Sequence, residues 1–351
     1  MTILAALAAF TACSKSEAGK GESKSICLTT FQDFGTRADE PERSLQPLFL
    51  FWTDNNFNDA TKAAPDFFVR TPDGEIEDYK TTPYNTGVYY PLYNKPVKAA
   101  GLAPAPGEGL LTFATAGDYR KFNVAKTTGT TDCPDDEWGV IDVLAAPVIS
   151  ATDAAPFTVQ TPLYFHHRAT KVAFQAQLTS TMTKFVKFVK VEIPGSSAVK
   201  TVEWNATAGT YDVKGGADTT DDYEFGNFWT TDGEFLSTDP RANATLYYQV
   251  LKDKPTNMGY TLIAPHVSSL DVVVKFKMAN SVGDFDTNTG IREVSVPVTI
   301  NFKDASDNDL TLEAGDAYTV LLYIDALAIE LVGKKVAWED GGYISLPFQI
   351  R

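Results

Sequence analysis

The sequence predicts an all-β protein built from β-sandwich domains, and three observations lead to that expectation. Apolar and polar residues alternate with a period of two over many short segments, as in strands with one buried face. Turn signals such as Pro72-Asp73-Gly74 and Ala314-Gly315-Asp316 recur between these segments. A helical period is not sustained over any long stretch of the sequence. Many short strands with frequent turns are typical of sandwich folds.

The first strand after the N-terminal region is expected over residues 45–51, a β-like apolar run that continues to Trp52. The residues Asp54-Asn55-Asn56 then form a turn signal. Beyond this point the sequence leaves room for a short helix around residues 65–69 or near 114–120.

Later in the chain, strict alternation predicts strands over residues 172–178, 272–278 and 294–300. Pro297 falls within the last of these. Because proline has no N–H to donate to a neighbouring strand, we expect residues 294–300 at a sheet edge or at a bulge.

The domain organisation is read from length and composition. The predicted parts are a leader over residues 1–12, an exposed polar tail over 13–43, and two sandwich domains over 44–160 and 161–351. The boundary is placed near residue 160, because residues 145–161 are rich in Ala, Pro, Ser and Thr and a new strand-forming block follows.

Cys13 identifies the N-terminal region as an export signal. An apolar run over residues 3–10 leads to small residues and this cysteine, a pattern that resembles a bacterial lipobox in which the cysteine is lipidated. The basic side chains expected before the apolar run are missing at Met1 and Thr2, and Phe10 is bulkier than is usual there. The alternative is a short buried helix or strand that ends in cysteine.

The composition argues against one class of partner, but it does not decide whether two of the cysteines form a disulfide. The 351 residues carry a formal net charge of −15, which argues against binding to nucleic acid because phosphates need a basic face. No stretch after the leader is long and apolar enough for a membrane-spanning helix. Cys27 and Cys133 could pair in an oxidising compartment, but the sequence does not decide this.

Catalytic, cofactor and metal sites are not predicted. His166 and His167 are neighbours on a predicted strand, so their side chains point to opposite faces and cannot share one metal ion. Acidic clusters near residues 54–59, 132–137 and 304–309 lack the spacing of a calcium-binding loop. The nucleophile-elbow, phosphate-loop and dinucleotide motifs are also missing. We therefore expect a protein that is not an enzyme and needs no cofactor.

Two segments are candidates for contact with other molecules. One is a tyrosine-rich stretch that suits an exposed recognition loop, with core packing as the alternative; its members are Tyr84, Tyr89, Tyr90 and Tyr93. The other is a C-terminal stretch with one wholly apolar face, formed by Ile344, Leu346, Phe348 and Ile350. Such a strand either folds onto its own sheet or is added to the sheet of another subunit.

Several segments, in order along the chain, resemble the fimbrillin family of Bacteroidetes type V pilus proteins. They are the leader with Cys13, the tail residues 36–39, the block 165–172, and the C-terminal stretches 311–320 and 329–342. The resemblance implies two transthyretin-like β-sandwich domains in tandem and export as a lipoprotein to the outer membrane and the fimbrium.

For stalk subunits, the resemblance also implies proteolysis after an arginine in the N-terminal segment. That cut removes a strand, and a strand from another subunit fills the groove. The candidate positions here are Arg37 and Arg43, with Arg37 favoured. The expected partners are other pilus subunits, the outer membrane before maturation, and a host protein or glycan. The alternative is a permanently anchored lipoprotein that acts as a pilus tip, an anchor or a glycan-binding module.

Overall fold

A computed structural model describes most of the chain. The described residues are 24–32, 46–53, 67–70, 76–106, 110–125, 141–193, 195–216, 223–225, 250, 252, 255–281, 283–287, 289–304, 306, 308–325 and 329–336.

Strands dominate these residues, and the all-β prediction is confirmed. The first ten are Ser25–Leu28 (β1), Thr30–Gln32 (β2), Leu48–Trp52 (β3), Phe67–Arg70 (β4), Tyr84–Tyr89 (β5), Val97–Ala103 (β6), Leu111–Phe113 (β7), Lys121–Val124 (β8), Leu144–Ala151 (β9) and Leu163–His167 (β10). The next ten are Thr170–Leu178 (β11), Phe185–Ile193 (β12), Val199–Asn205 (β13), Thr210–Gly215 (β14), Tyr223–Phe225 (β15), Thr256–Ile263 (β16), Ser269–Ala279 (β17), Arg292–Asn301 (β18), Ala317–Ile324 (β19) and Ile329–Val336 (β20). Among the described residues, the helical elements are one short α-helix, Gly283–Thr287 (α1), and 3-10 turns at Ile76–Tyr79, Leu92–Asn94 and Gly195–Ser197.

A six-stranded sheet in the order β2-β10-β9-β6-β3-β4 forms the centre of the first half of the molecule. One face packs in a core with the β1–β5 pair, and the other in a core with the sheet β14-β13-β8-β7. Along β3, Phe49 and Phe51 face the first core, whereas Leu48 and Leu50 face the second. A strand covered on both faces is apolar at every position, which explains the continuous run predicted over residues 45–51.

The second half contains two four-stranded sheets around one core. Their orders are β16-β11-β19-β20 and β15-β12-β17-β18. The strands predicted over residues 172–178, 272–278 and 294–300 are confirmed as parts of β11, β17 and β18. Strand β18 is the last in its sheet and Pro297 is exposed, as expected for an edge strand.

The hairpin β13–β14 lies late in the sequence but belongs to a sheet of the first half. Val202 on β13 is paired with Phe122 on β8, and both side chains are fully buried. Strand β10 likewise pairs with β9 in the six-stranded sheet. Strands from beyond the boundary predicted at residue 160 therefore belong to sheets of the first half. The sequence did not indicate this, because alternation reveals strands but not their partners.

The expectation of a short helix around residues 65–69 or near 114–120 is wrong. Phe67–Arg70 is strand β4, which pairs antiparallel with β3. Residues 114–120 connect β7 to β8 as a turn, in which the Asp118 carboxylate accepts hydrogen bonds from the Arg120 backbone N–H and guanidinium. Tertiary strand pairing and this side-chain contact decide the local conformation in both places.

Gly101 gives a first testable prediction for the fold. A β-carbon at this position of β6 would lie 2.8 Å from Cε1 of the buried Phe165 and still closer to its Cζ. We expect Gly101→Ala to lower the free energy of unfolding by about 1–3 kcal/mol through overpacking. Urea denaturation measures the change. Adding Phe165→Leu should recover part of the loss, whereas additive losses in the double variant would contradict the proposed clash.

Candidate functional site

The N-terminal segment is buried where the sequence predicted exposure. Residues 24–32 were expected within an exposed tail over 13–43, yet they form β1 and β2. The side chains of Ile26 and Leu28 are 0% exposed. The expectation of an exposed tail is wrong here because the alternation spans only a few residues between polar stretches. The alternation of Ser25-Ile26-Cys27-Leu28 was the signal that could have revealed the strand.

The segment pairs with one strand in each of two sheets, β5 in the two-stranded sheet and β10 in the six-stranded sheet, and we call the site that it occupies the groove. Strand β1 runs antiparallel to β5, with Ser25 opposite Tyr89. Strand β2 runs parallel to β10, with Thr30 opposite Leu163 and Gln32 opposite Phe165. Removing residues 24–32 would therefore leave one edge of β5 and one edge of β10 without this partner, and unpaired edges attract another strand.

Backbone and hydroxyl hydrogen bonds hold the segment along its length. The Tyr90 N–H donates to the Lys24 carbonyl at 3.0 Å, and the Leu163 N–H donates to the Thr29 carbonyl at 2.9 Å. The Thr86 hydroxyl donates to the Ile26 carbonyl at 2.8 Å. Backbone pairing of this kind does not depend on side-chain identity, so another apolar strand can make the same bonds.

The floor beneath the segment is apolar and aromatic. Ile26 and Leu28 pack in one core with Phe49, Phe51 and Phe165, all of which are fully buried. Burying each of the two aliphatic side chains contributes about 1.5–3 kcal/mol. The exposed pair between Lys24 Nζ and Asp153 Oδ1, at 3.5 Å, adds little because water screens it. The segment is held mainly by its two apolar side chains and its backbone.

The predicted cleavage residues lie outside the described residues but close in sequence to this segment. Arg37 and Arg43 fall between Gln32, where β2 ends, and Leu48, where β3 begins. A cut after either arginine would separate residues 24–32 covalently from the rest of the fold. Other predicted site residues also lie outside the described residues; they are Cys13, Ile344, Leu346, Phe348 and Ile350.

The four tyrosines predicted as a contact loop divide into two groups. Tyr84 and Tyr90 belong to the core: the Tyr84 ring lies 5.9 Å from that of Phe49, and Tyr90 is 3% exposed. Tyr89 and Tyr93 point outward, with exposed fractions of 60% and 92%. The sequence did not separate the two groups, because the segment forms β5 and a 3-10 turn rather than one loop.

The buried Tyr90 gives a prediction for alkaline pH. Burial raises the pKa of Tyr90 to about 12, although the Phe157 N–H that donates to its hydroxyl at 2.8 Å acts in the opposite direction. Because the unfolded state ionises near pH 10 while the folded state keeps the proton, stability present below pH 10 is lost between about pH 10 and 12. Thermal melts of wild type and Tyr90→Phe across this range should show a shallower loss in the variant. Equal slopes would contradict the prediction.

Two of the three histidines lie next to separate carboxylates. His167 Nδ1 lies 2.8 Å from Asp142 Oδ2 in a largely buried pair, and His266 Nδ1 lies 2.7 Å from Glu313 Oε2 at the surface. His166 is exposed on β10. Among the described residues, His, Cys, Asp and Glu side chains do not form a group of three or more that could hold a metal ion. Within the same residues, no helix has the length and apolar character needed to cross a membrane.

Comparison with known proteins identifies the fold but gives no match in sequence. No protein-family model matches the chain, and no curated protein is significantly similar. A fimbrial protein from Bacteroides vulgatus is similar in structure, with a TM-score of 0.53 and 11% identity over 90% of this chain and 99% of that chain. A candidate cell adhesion protein from Bacteroides uniformis has a TM-score of 0.49 at 14% identity, covering 90% of this chain and 99% of that one. A fimbrial assembly protein from Parabacteroides distasonis has a TM-score of 0.41 at 13% identity, covering 92% and 98%.

Of these three structures, only the Bacteroides vulgatus protein has a TM-score above 0.5, so the similarity of fold is judged from it. At 11% identity the likeness concerns the fold alone. The resemblance to fimbrillins noted in the sequence is confirmed at this level: the chain has the fold of a Bacteroides fimbrial protein.

Proposed function

We propose that this protein is a structural, non-enzymatic subunit of a cell-surface pilus that assembles by exchange of β-strands. The observation that supports the proposal is the position of residues 24–32, which pair with β5 in one sheet and with β10 in another and precede both candidate cleavage sites. The fold shared with a Bacteroides vulgatus fimbrial protein supports a fimbrial role in adhesion at the cell surface.

In this proposal, the chain is exported as a lipoprotein and held at the outer membrane through Cys13. Cleavage after Arg37 or Arg43 releases the segment that contains Ile26 and Leu28. An apolar strand of another subunit then pairs with β5 and β10 and covers the aromatic floor. The donor is the C-terminal stretch with its apolar face, formed by Ile344, Leu346, Phe348 and Ile350.

Limited digestion tests this proposal. The purified precursor is treated with an arginine-specific protease, its new N-terminus is mapped by mass spectrometry, and its size is read on a gel without boiling. We expect a cut after Arg37 or Arg43 and a ladder of oligomers that withstands detergent. An Arg37→Ala/Arg43→Ala variant, matched in all other respects, should remain intact and monomeric.

Deleting residues 343–351 separates cleavage from assembly. This variant should be cut as the wild type is, but it should form no ladder because the donor strand is missing. Clean cleavage of the full chain with monomers alone would contradict assembly by strand exchange. That result would favour the permanently anchored tip, anchor or glycan-binding protein instead.

A further inference from the structure

An exposed apolar ledge lies where the groove-filling segment begins. We define the ledge as Tyr89, Leu92 and Tyr93, whose exposed fractions are 60%, 55% and 92%. The large apolar side chains that are exposed among the described residues number five, and these three lie within five consecutive positions. Concentrated exposure of this kind is typical of interaction surfaces, whereas scattered exposed apolar residues need no explanation.

The backbone holds the ledge in an uncommon conformation. Tyr93 and Asn94 have φ angles of 65° and 54°, in the left-handed region that residues other than glycine rarely adopt. The Asn94 side-chain oxygen accepts a hydrogen bond from the Ala154 N–H at 2.9 Å, which ties the turn to the chain after β9. Unfavourable backbone conformations persist where the surrounding structure enforces them, and they concentrate at functional sites. The turn thus presents the Tyr93 side chain to solvent.

The ledge is continuous with the groove. Tyr89 is the last residue of β5 and stands opposite Ser25 of β1, and the next residue, Tyr90, bonds through its N–H to the Lys24 carbonyl. A strand that takes the place of β1 therefore has one end at the ledge. In the proposed assembly, the polypeptide that flanks this strand would pass close to Leu92 and Tyr93.

We propose that the ledge binds a second copy of this chain, at the residues next to its inserted strand. This inference rests on the proposed assembly by strand exchange and adds a contact outside the groove. Planar tyrosine rings and a leucine side chain offer apolar area at low cost in side-chain entropy, which suits a protein–protein contact. The contact would orient the incoming subunit before its strand is fully paired.

Photo-crosslinking tests the ledge contact. The photoreactive residue p-benzoylphenylalanine is placed at position 93 of the full chain, which is trimmed with the arginine-specific protease, allowed to assemble and irradiated. We expect a covalent dimer of two copies from the assembled ladder and none from the untrimmed precursor. The matched control carries the same photoreactive residue in place of Phe68, which is 54% exposed. Phe68 lies on β4, and β4 and β2 are the two opposite edge strands of the six-stranded sheet.

A double variant supplies the kinetic measurement. Leu92→Ser with Tyr93→Asn removes the apolar area, and asparagine tolerates the left-handed backbone at position 93. We expect the trimmed variant to build the ladder about tenfold more slowly at equal concentration, a fold-change equivalent to about 1.4 kcal/mol in the barrier. Its melting temperature before trimming should match that of the wild type.

The outcomes distinguish the two proposals. A wild-type ladder without a crosslink from position 93, and with normal growth of the double variant, would overturn the ledge contact and leave strand exchange standing. A trimmed wild type without any ladder would overturn both. Retention on an immobilised glycan that is lost in the double variant, without a crosslink to a second copy, would assign the ledge to carbohydrate instead.

Discussion

Replacing Ile26 and Leu28 together with alanine is expected to lower the free energy of unfolding of the uncut protein by about 4–10 kcal/mol. Each substitution removes a fully buried aliphatic side chain, and such changes cost about 2–5 kcal/mol because a cavity remains. A loss of this size is comparable with the whole stability of many domains, so the first sandwich should melt far below the wild-type temperature. Urea denaturation followed by tryptophan fluorescence measures the change.

Leu92→Ala is the matched control for the single change Leu28→Ala. Leu92 is 55% exposed, so its truncation should change stability by no more than about 0.5 kcal/mol. Equal effects of the two leucine substitutions would show that the N-terminal segment is not packed in the groove. That result would remove the main support for strand exchange.

Tyr211→Ala is expected to cost about 3–5 kcal/mol and to loosen the first half of the molecule, although Tyr211 lies in the second half of the sequence. Its side chain is fully buried, its ring lies 5.9 Å from that of Phe122, and its hydroxyl donates to the Tyr119 carbonyl at 2.6 Å. Burial raises the pKa of Tyr211 well above its usual value, so the hydroxyl keeps the proton that it donates.

Hydrogen exchange locates the effect of Tyr211→Ala. Amides of β8 and β3 should exchange faster, while those of β17 should keep their wild-type protection. Tyr211→Phe is the conservative control and should cost about 1–3 kcal/mol, because it leaves the Tyr119 carbonyl without this donor but keeps the ring. Loosening confined to β17 and its neighbours would contradict the packing of the β13–β14 hairpin against the first half.

Sequence reasoning predicted the strands well where alternation was long. Strands β11, β17 and β18 each contain a predicted alternating segment, and β3 contains the predicted apolar run. Alternation arises from the local geometry of a strand with one buried face, so it is visible without knowledge of partners. Pro297 indicated an edge strand for an equally local reason, because proline has no N–H to donate to a neighbouring strand.

The partners of the strands were beyond the reach of the sequence. The inclusion of β10 and the β13–β14 hairpin in sheets of the first half depends on contacts between residues far apart in the chain. The buried segment 24–32 was missed because two short strands separated by Thr29 leave a weak alternation within a polar region. The division of the tyrosines into buried Tyr90 and exposed Tyr93 likewise depends on which neighbours cover each ring.

Hydrogen exchange of β5 tests the central claim most directly. The amides of residues 84–90 are followed by mass spectrometry in the precursor, in the trimmed monomer of a variant that lacks residues 343–351, and in the assembled wild-type ladder. We predict protection in the precursor, rapid exchange in the trimmed monomer and restored protection in the ladder. Protection that survives trimming, or that does not return on assembly, would contradict the replacement of residues 24–32 by a strand of another subunit.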